Sequence, residues 1–342
     1  MLNWPGIEII NRVVEEFPEN PEGFVGQDVL PMNVLDYAAN GKTIQWDIRG
    51  PALGMVPAHS LNSDPALMEF PVVKTKAMPT AYWSGFHRIG EADILNIRQL
   101  GAFGERMARG LVVEALNATR SQVRSRVEYL RWQALQGTIA VNENGVKFTA
   151  NYEIPSGNKV DVSAGSGEYW THQDADPIRD LQAATELLRG SGAGDPICYF
   201  NRKVAGYLSQ NAKVRELVTG SPLVTGTGVK QIGDLMLPLV GDLGRMVQYD
   251  KGYRSSAGVW TPYIPDNKVI LVGQGPVGEK LGEFASTPNL HNGGLEPMPG
   301  EFYKPIDKTG EANPYYDILG GVYGMPVIFH PNWIVVLTIA AA

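Results

Sequence analysis

The sequence predicts an α+β protein, and three observations lead to that fold class. Residues 103–136 repeat apolar side chains every three or four positions, the pattern of a long amphipathic helix. Residues 42–91 contain runs in which apolar and polar residues alternate, as in half-buried strands. Most of the chain after residue 245 consists of short β-prone runs separated by glycine and proline. No internal repeat is visible, so the elements belong to a non-repetitive fold.

The first 41 residues predict an N-terminal arm with little core of its own. A short helical pattern occupies 7–17, and an extended stretch interrupted by prolines follows at 25–34.

Residues 42–91 predict a long two-stranded hairpin with an irregular tip. Ile44, Trp46 and Ile48 alternate with polar residues, and a second alternating run begins near residue 70. An isolated two-stranded ribbon is marginally stable in water. The hairpin therefore needs a further surface on which to bury its apolar face.

The helix predicted over 103–136 is the most strongly patterned element of the chain. At 1.5 Å per residue it is about 50 Å long, and Gly137 is suited to end it as a C-cap residue. Seven residues define its apolar face: Val112, Leu116, Thr119, Val123, Val127, Leu130 and Ala134.

Arginines dominate the polar positions of this helix and allow two interpretations. They are Arg106, Arg109, Arg120, Arg124, Arg126 and Arg131, against Glu105, Glu114 and Glu128. One interpretation is a nucleic-acid surface. The other is a solvated helix face or a set of salt bridges between subunits. The second is favoured, because no aromatic side chains that could stack on bases are interleaved with the arginines.

The remaining segments complete the α+β pattern. Short strands are predicted over 146–170, and Asp176 and Pro177 open a helix that stops at Gly190. A strand follows at 196–200, then helical pieces at 201–219 and 228–240. The strands predicted after these are MVQYDKGYR, WTPYI, KVILVG, KLGEFAS, YYDILGGVYGMPVIFH and WIVVLTIA.

Composition restricts the possible functions. The 342 residues carry a net charge of −7, which argues against a protein that grips nucleic-acid phosphates over a broad surface. The sequence contains no run of about 18 apolar residues, so it predicts no membrane-spanning helix. The N-terminus lacks the pattern of a secretory signal, so a reducing cytoplasm is the expected place of synthesis and assembly.

A glycine-rich loop is the one sequence pattern that suggests a cofactor. VILVGQGPVG places Gly273, Gly275 and Gly278 after an apolar strand, at the spacing of a dinucleotide-binding loop. Such a loop opens a helix, but the following residues contain too many glycines and prolines to form one. Glu296 has nearly the offset of a ribose-binding acid but lies among prolines. A strand that ends in a turn is the favoured interpretation.

The sequence offers no catalytic, cofactor-binding or metal-binding residues. Cys198 lies in an apolar strand, where a buried structural role is favoured over a nucleophile. His59, His87, His172, His291 and His330 lack metal-ligand spacing. Asp174 and Asp176 could approach each other, but helix capping by Asp176 is the simpler role. GSGAGDP (190–196) lacks the Lys-Ser/Thr of a phosphate loop and is interpreted as a turn.

Three segments, in their order, resemble the tailed-phage major capsid proteins of the phage-lambda-like major capsid protein E family, which have the Hong Kong 97-like fold. In YIPDNKVILVGQGPVGEKLGEF (263–284), an aromatic-x-Pro-Asp-Asn sequence precedes an apolar strand that ends in a turn, and this arrangement is similar to that of the family. FNRKVAGYLSQNAKVRELV (200–218) is similar to the family's short helices, and YYDILGGVYGMPVIFHPNWIVVLTIA (315–340) to its last two strands. The resemblance covers nearly the whole chain.

This resemblance implies a domain organisation. It assigns an N-terminal arm to 1–41 and an extended loop to 42–91. A peripheral domain with a spine helix at 103–136 covers 92–176, an axial domain covers 177–310, and strands at 311–342 return toward the peripheral domain.

The resemblance also implies a function. Hexamers and pentamers would form an icosahedral shell around double-stranded DNA, and the hairpin would lie across a neighbouring subunit. Expected partners are a portal, a scaffold or protease, and in some relatives a decoration protein; the DNA would bind only weakly. The protein would be assembled in the host cytoplasm and reside in the virion. Some relatives crosslink Lys and Asn side chains, but no motif around Lys74 or Lys76 predicts this.

Two alternatives stay open at the level of sequence. An encapsulin, the shell protein of a bacterial cargo compartment, would have the same fold. A nucleotide-dependent oxidoreductase would use the three glycines at 273, 275 and 278.

Overall fold

A computed structural model of the chain describes residues 22–33, 43–50, 55, 58, 72–90, 92–93, 102–143, 145–165, 168–194, 196–219, 245–255, 257–276, 279–293, 299–308, 310–311 and 315–341. The chain forms two compact units. The first unit comprises Met1–Gln45, Ala77–Arg131 and Phe284–Pro326, and the second comprises Trp46–Lys76, Trp132–Glu283 and Val327–Ala342. Both contain helices and strands, which confirms the predicted α+β class. The helices predicted at 7–17 and 228–240 lie outside the described residues.

The secondary structure contains seven α-helical segments in the described ranges. They are α1 (Gly26–Val29), α2 (Ala102–Leu135), α3 (Val162–Gly165), α4 (Pro177–Gly190), α5 (Arg202–Gln210), α6 (Ala212–Thr219) and α7 (Leu290–Gly293). The strands are β1 (Met32–Asn33), β2 (Thr43–Arg49), β3 (Val73–Pro79), β4 (Tyr82–Ile89), β5 (Thr138–Glu143), β6 (Val146–Asn151), β7 (Lys159–Asp161), β8 (Ile197–Phe200), β9 (Arg245–Gln248), β10 (Gly252–Arg254), β11 (Trp260–Pro262), β12 (Lys268–Val272), β13 (Gly282–Ser286), β14 (Glu301–Asp307), β15 (Tyr316–Ile328) and β16 (Ile334–Thr338). No helix in these ranges has the length and apolar character to cross a membrane.

A five-stranded sheet organises the first unit. Its strands follow the order β1-β13-β15-β14, and β4 also pairs with β15. Both β4 and β14 run antiparallel to β15, whereas β1 runs parallel to β13. The long strand β15 is therefore the centre of this sheet.

Helix α2 covers this sheet with the face that the sequence predicts. All seven residues of its predicted apolar face are buried, and Val112 and Leu116 form a cluster with Ile89 of β4 and Ile318 of β15. At Gly320 an added Cβ would lie 2.5 Å from Cγ2 of Thr119, so a glycine there allows the helix to approach β15 closely. The helix ends before Gly137, whose φ of +95° confirms the predicted C-cap position.

The segment that precedes β1 is tied to α2 through a buried carboxylate. Glu128 is fully buried and accepts a hydrogen bond of 2.8 Å from the backbone N–H of Gly26. The Arg131 guanidinium supplies a positive charge next to this carboxylate, with its Nη1 3.4 Å from Oε2 of Glu128. The described part of the predicted arm therefore packs on the first unit, with Leu30 completely buried.

A second five-stranded sheet, in the order β7-β16-β12-β8-β9, organises the second unit. The central strand β12 is antiparallel to both neighbours, β16 and β8, and the outer strands β7 and β9 are added in parallel. Helix α4 packs against β16. Asp176 caps α4 by accepting from the N–H of Arg179, and Pro177 occupies its first turn, as predicted.

Two strands were not predicted from the sequence. Strand β5 follows Gly137 almost directly and pairs with β6, so the β segment begins before residue 146. Strand β14 lies in a proline-rich stretch that indicates a loop, yet it pairs along its whole length with β15. Its Pro305 is tolerated because β14 is an outer strand of the sheet.

Candidate assembly surface

The predicted hairpin is present in part, and its strands differ from the prediction. Strand β2 pairs with β3, and the backbone N–H of Gly50 donates to the carbonyl of Val72 at 2.9 Å where the strands leave toward the tip. The following strand β4 does not extend this ribbon, because it pairs with β15 in the first unit. The prediction of one two-stranded hairpin over 42–91 is therefore wrong for its last part. The tip lies outside the described residues except for positions 55 and 58.

Part of the hairpin is anchored to the second unit. The Trp46 side chain is 4% exposed, and its Nε1–H donates to the carbonyl of Ile328 at 2.9 Å. The backbone N–H of Arg49 donates to the carbonyl of Phe329 at 3.0 Å. The apolar face around Trp46 is thus buried within the chain itself, which corrects the expectation that the whole face waits for another subunit.

A charged clamp fixes the other strand of the hairpin. Lys74 and Lys76 reach the two carboxylate oxygens of Glu153 at 2.6 Å and 3.0 Å, and Lys76 also donates to the carbonyl of Asn151. These hydrogen bonds lower the pKa of Glu153, which holds a left-handed backbone with φ of +56°. A non-glycine residue is uncommon there, so the clamp keeps a strained conformation in place.

Replacing Glu153 by Gln is expected to weaken the dependence of the free energy of unfolding on pH at acid pH. Because the folded-state pKa of Glu153 lies below its unfolded value, its contribution is present above about pH 4.5 and is lost as the pH falls through the folded-state pKa. Both ion pairs are partly solvated, so the expected loss at pH 7 is about 1 kcal/mol or less.

The measurement is urea unfolding of wild type and the Glu153→Gln variant between pH 3 and pH 7. Glu114→Gln, which neutralises an exposed carboxylate on α2, is the matched control. The two curves should converge at low pH for Glu153→Gln. Curves that stay parallel over the whole range would show that the clamp does not hold β3.

We call the part of the hairpin that is held by Trp46 and Glu153 its root. Beyond this root the hairpin exposes apolar side chains. Val72 is 77% exposed, Val73 56% and Met55 95%. Contiguous exposed apolar surface commonly marks an interaction site on a soluble protein. The hairpin therefore has a fixed root and an uncovered apolar continuation.

The arginine-rich side of α2 is used inside the first unit. Arg124 lies 3.6 Å from Glu22 and 3.3 Å from Glu301, and the Arg126 guanidinium lies 4.3 Å from the centre of the Trp83 ring. Burial, followed by the charge of Arg124, lowers the pKa of Arg120.

These contacts differ from both interpretations of the sequence. The arginines from 120 to 131 form neither a free phosphate-binding face nor a solvated one, since they pair within the chain. The side chains of Arg106 and Arg109 lie outside the described part of α2.

The glycine-rich loop after β12 is a packed turn. A Cβ added at Gly273 would clash with Ala193, and one added at Gly275 would clash with the Trp333 ring, so protein atoms occupy the space that a pyrophosphate would need. The next element in the described chain is β13, a strand. Residues 277–278 and Glu296 lie outside the described part. The interpretation as a strand that ends in a turn is supported by this packing.

The other candidate chemical residues have structural positions. Cys198 is buried in β8, and burial raises the pKa of its thiol to about 12. The described residues 191–194 and 196 of GSGAGDP lie between the end of α4 and the start of β8, in agreement with the predicted turn. In the described ranges no cluster of three or more His, Cys, Asp or Glu side chains could hold a metal ion. His59 lies outside them.

Comparison with known proteins assigns the family. The profile of the phage major capsid protein E family matches residues 8–339, and the chain belongs to this family. A protein described as a prophage capsid protein of Escherichia coli CFT073 has a similar structure, with 16% identity, a TM-score of 0.64 and coverage of 98% of this chain and 99% of that chain. A phage-related protein of Bordetella bronchiseptica RB50 matches with 14% identity, a TM-score of 0.52 and coverage of 98% and 97%.

An encapsulin from Synechococcus elongatus PCC 7942 is also similar, at 11% identity, a TM-score of 0.46 and coverage of 97% of this chain and 94% of that chain. The fold is that of the Hong Kong 97-like phage capsid proteins, as the resemblance implied. The chain is a shell protein of a tailed phage, it associates with copies of itself, and its place is the virion.

Proposed function

We propose that the chain is a non-catalytic subunit that assembles through hexamers and pentamers into an icosahedral shell around double-stranded DNA. The observation that carries this proposal is the hairpin of β2 and β3. Trp46 and Glu153 hold its root, whereas Val72 and Val73 beyond the root are exposed. A neighbouring copy that receives this ribbon would bury those side chains, and at about 25 cal/mol per Å² their burial favours assembly.

Contacts of this kind are heterologous, because the hairpin of one copy meets a different surface on the next. Heterologous contacts close into rings when the rotation between copies permits it. Six-membered and five-membered rings of one chain are the components from which an icosahedral shell is tiled. Assembly of such rings would take place in the host cytoplasm.

The net charge of the chain supports a shell that encloses DNA without binding it tightly. A net charge of −7, together with the internal pairing of Arg120, Arg124 and Arg126, limits sequence-independent attraction to phosphates. We expect packaged DNA to touch the wall weakly and reversibly. A portal, a scaffold or protease, and a decoration protein are the partners expected from the family.

Electron microscopy of the purified chain tests the proposal. Under assembly conditions the expected particles are ring-shaped capsomers and closed shells of uniform diameter. A chain that stays a monodisperse monomer in every condition would contradict the proposal. Particles from the natural source should contain double-stranded DNA; a protein cargo in its place would identify the encapsulin alternative.

A further inference from the structure

The β10–β11 ribbon of the second unit has backbone hydrogen bonds at its tip. Gly252–Arg254 pairs with Trp260–Pro262, and the backbone N–H of Ser255 donates to the carbonyl of Val259 at 2.9 Å. The N–H of Gly258 donates to the carbonyl of Ser255 at 2.8 Å, and Gly258 has a φ of +78° that suits glycine. The ribbon thus ends in a hydrogen-bonded turn.

This turn presents large apolar side chains to solvent. Trp260 is 56% exposed and Val259 is 62% exposed. The exposed Arg254 is the direct cross-strand partner of Trp260. Tryptophan and arginine are enriched where proteins bind each other and often dominate the binding free energy.

A groove of about 780 Å³ lies elsewhere on the same unit. Its floor and walls include Ala183 and Leu187 of α4, Val160 of β7, and Leu337 of β16. Leu187 is 41% exposed on α4. The groove is therefore large enough for more than one apolar side chain and is lined by apolar groups.

The charges of the two surfaces are complementary. Arg179, Asp180 and Glu186 lie on the groove wall. Burial raises the pKa of Asp180, and the Trp170 indole N–H, which donates to the Asp180 carboxylate at 2.9 Å, opposes this shift. The side chains of Glu186 and Arg254 form no hydrogen bond or ion pair within the described ranges, so an acid on the groove and a base on the ribbon are both available.

The positions of the two surfaces suit a head-to-tail contact. The groove is lined by β7, the first strand of the sheet, and the ribbon follows β9, its last strand. The groove and the ribbon are two different surfaces of the chain, as a heterologous interface requires.

We propose that the β10–β11 ribbon of one copy inserts Trp260 and Val259 into the groove beside α4 of the next copy, with Arg254 paired to Glu186. This contact rests on the proposed shell function and adds to it a second interface, which is distinct from the β2–β3 hairpin. The recognised partner is a second copy of this chain.

Trp260→Ser is expected to raise the protein concentration needed for shell formation by about tenfold or more, the loss typical of a central interface tryptophan. Val146→Ser, which removes a side chain 52% exposed on the β5–β6 hairpin, is the matched control and should leave assembly unchanged. Light scattering against protein concentration measures both. An unchanged threshold for Trp260→Ser would overturn the contact.

Charge reversal tests the pairing itself. Arg254→Glu and Glu186→Arg should each impair assembly, and the double variant should return to within about threefold of wild type, because the pair is restored with opposite polarity. Arg245→Glu and Glu216→Arg, both exposed on the second unit, control for the change in net charge. A double variant that is as impaired as the worse single variant would overturn the pairing.

Crosslinking identifies the partner surface. Leu187→Cys and Val259→Cys chains are prepared separately, mixed, assembled and treated with a short bismaleimide; the buried Cys198 serves as an unreactive background. A crosslink between 187 and 259 is expected only in the mixture. Shells without that crosslink, or a crosslink of Val259→Cys with itself, would overturn this contact and leave the shell function standing. Wild-type chain that forms no particles would instead contradict the shell function.

Discussion

Replacement of residues 51–71 by an Asn-Gly turn is expected to give a folded, soluble chain that forms no shells. The strands are already joined by a hydrogen bond from Gly50 to Val72, so a two-residue turn can close the ribbon there. The same two residue types, Asn-Gly, separate β5 from β6 in the sequence of this chain. The root contacts of Trp46 and Glu153 are retained, whereas the part of the hairpin that would reach a neighbour is removed.

Sedimentation velocity and electron microscopy measure this result. The shortened chain should sediment as a monomer or small oligomer with an unchanged circular dichroism spectrum. The Val146→Ser variant, tested beside it, should assemble like wild type. Normal shells from the shortened chain would show that the hairpin does not hold neighbouring subunits together.

Trp46→Ala is expected to destabilise the chain by about 3–5 kcal/mol, the usual cost of removing a buried tryptophan. Trp46 is 4% exposed, and its Nε1–H satisfies the carbonyl of Ile328. Trp46→Phe keeps most of the packing but loses the hydrogen bond, so about 1 kcal/mol is expected. Because Trp46 also anchors the hairpin root, Trp46→Ala should impair assembly as well.

Urea unfolding followed by circular dichroism measures these losses. Trp260→Ala provides the matched control, since the same side chain is removed from a site that is 56% exposed, and its effect should stay within about 0.5 kcal/mol. A Trp46→Ala variant as stable as the Trp260→Ala variant would show that the root is not packed as described.

Local pattern made much of this fold predictable. The apolar period of α2 correctly predicted seven buried positions between Val112 and Ala134, because a helix buries a stripe that its own sequence must carry. The cap residues Asp176 and Pro177 located the start of α4 for a similarly local reason. The apolar runs of β12 and β16 indicated buried strands, and these two strands pair in the centre of the second sheet.

Features that depend on distant residues were not predictable. Strand β4 pairs with β15 across more than 200 positions, and no local signal separates it from the hairpin that precedes it. The contacts of Glu153 with Lys74 and of Arg124 with Glu301 are also non-local. For the arginines of α2, the sequence therefore suggested a solvated face or pairs between subunits, whereas the chain forms pairs of its own. Strand β14 was hidden by Pro305 and its proline-rich surroundings.

The order of three segments pointed to the capsid family although none of them is diagnostic alone. The surfaces proposed for assembly could not be located in the same way. Val72, Val259 and Trp260 are ordinary strand residues in sequence, and only their exposure distinguishes them from the buried Val269 or Trp132.

A cryo-electron microscopy reconstruction of the assembled particle would show directly which surface the β2–β3 hairpin contacts. We expect the hairpin that continues from Arg49 and Val72 of one copy to lie across a neighbouring copy, and Val73 of that hairpin to be buried in the contact. A reconstruction in which residues 42–91 of every copy pack wholly onto their own chain would contradict it.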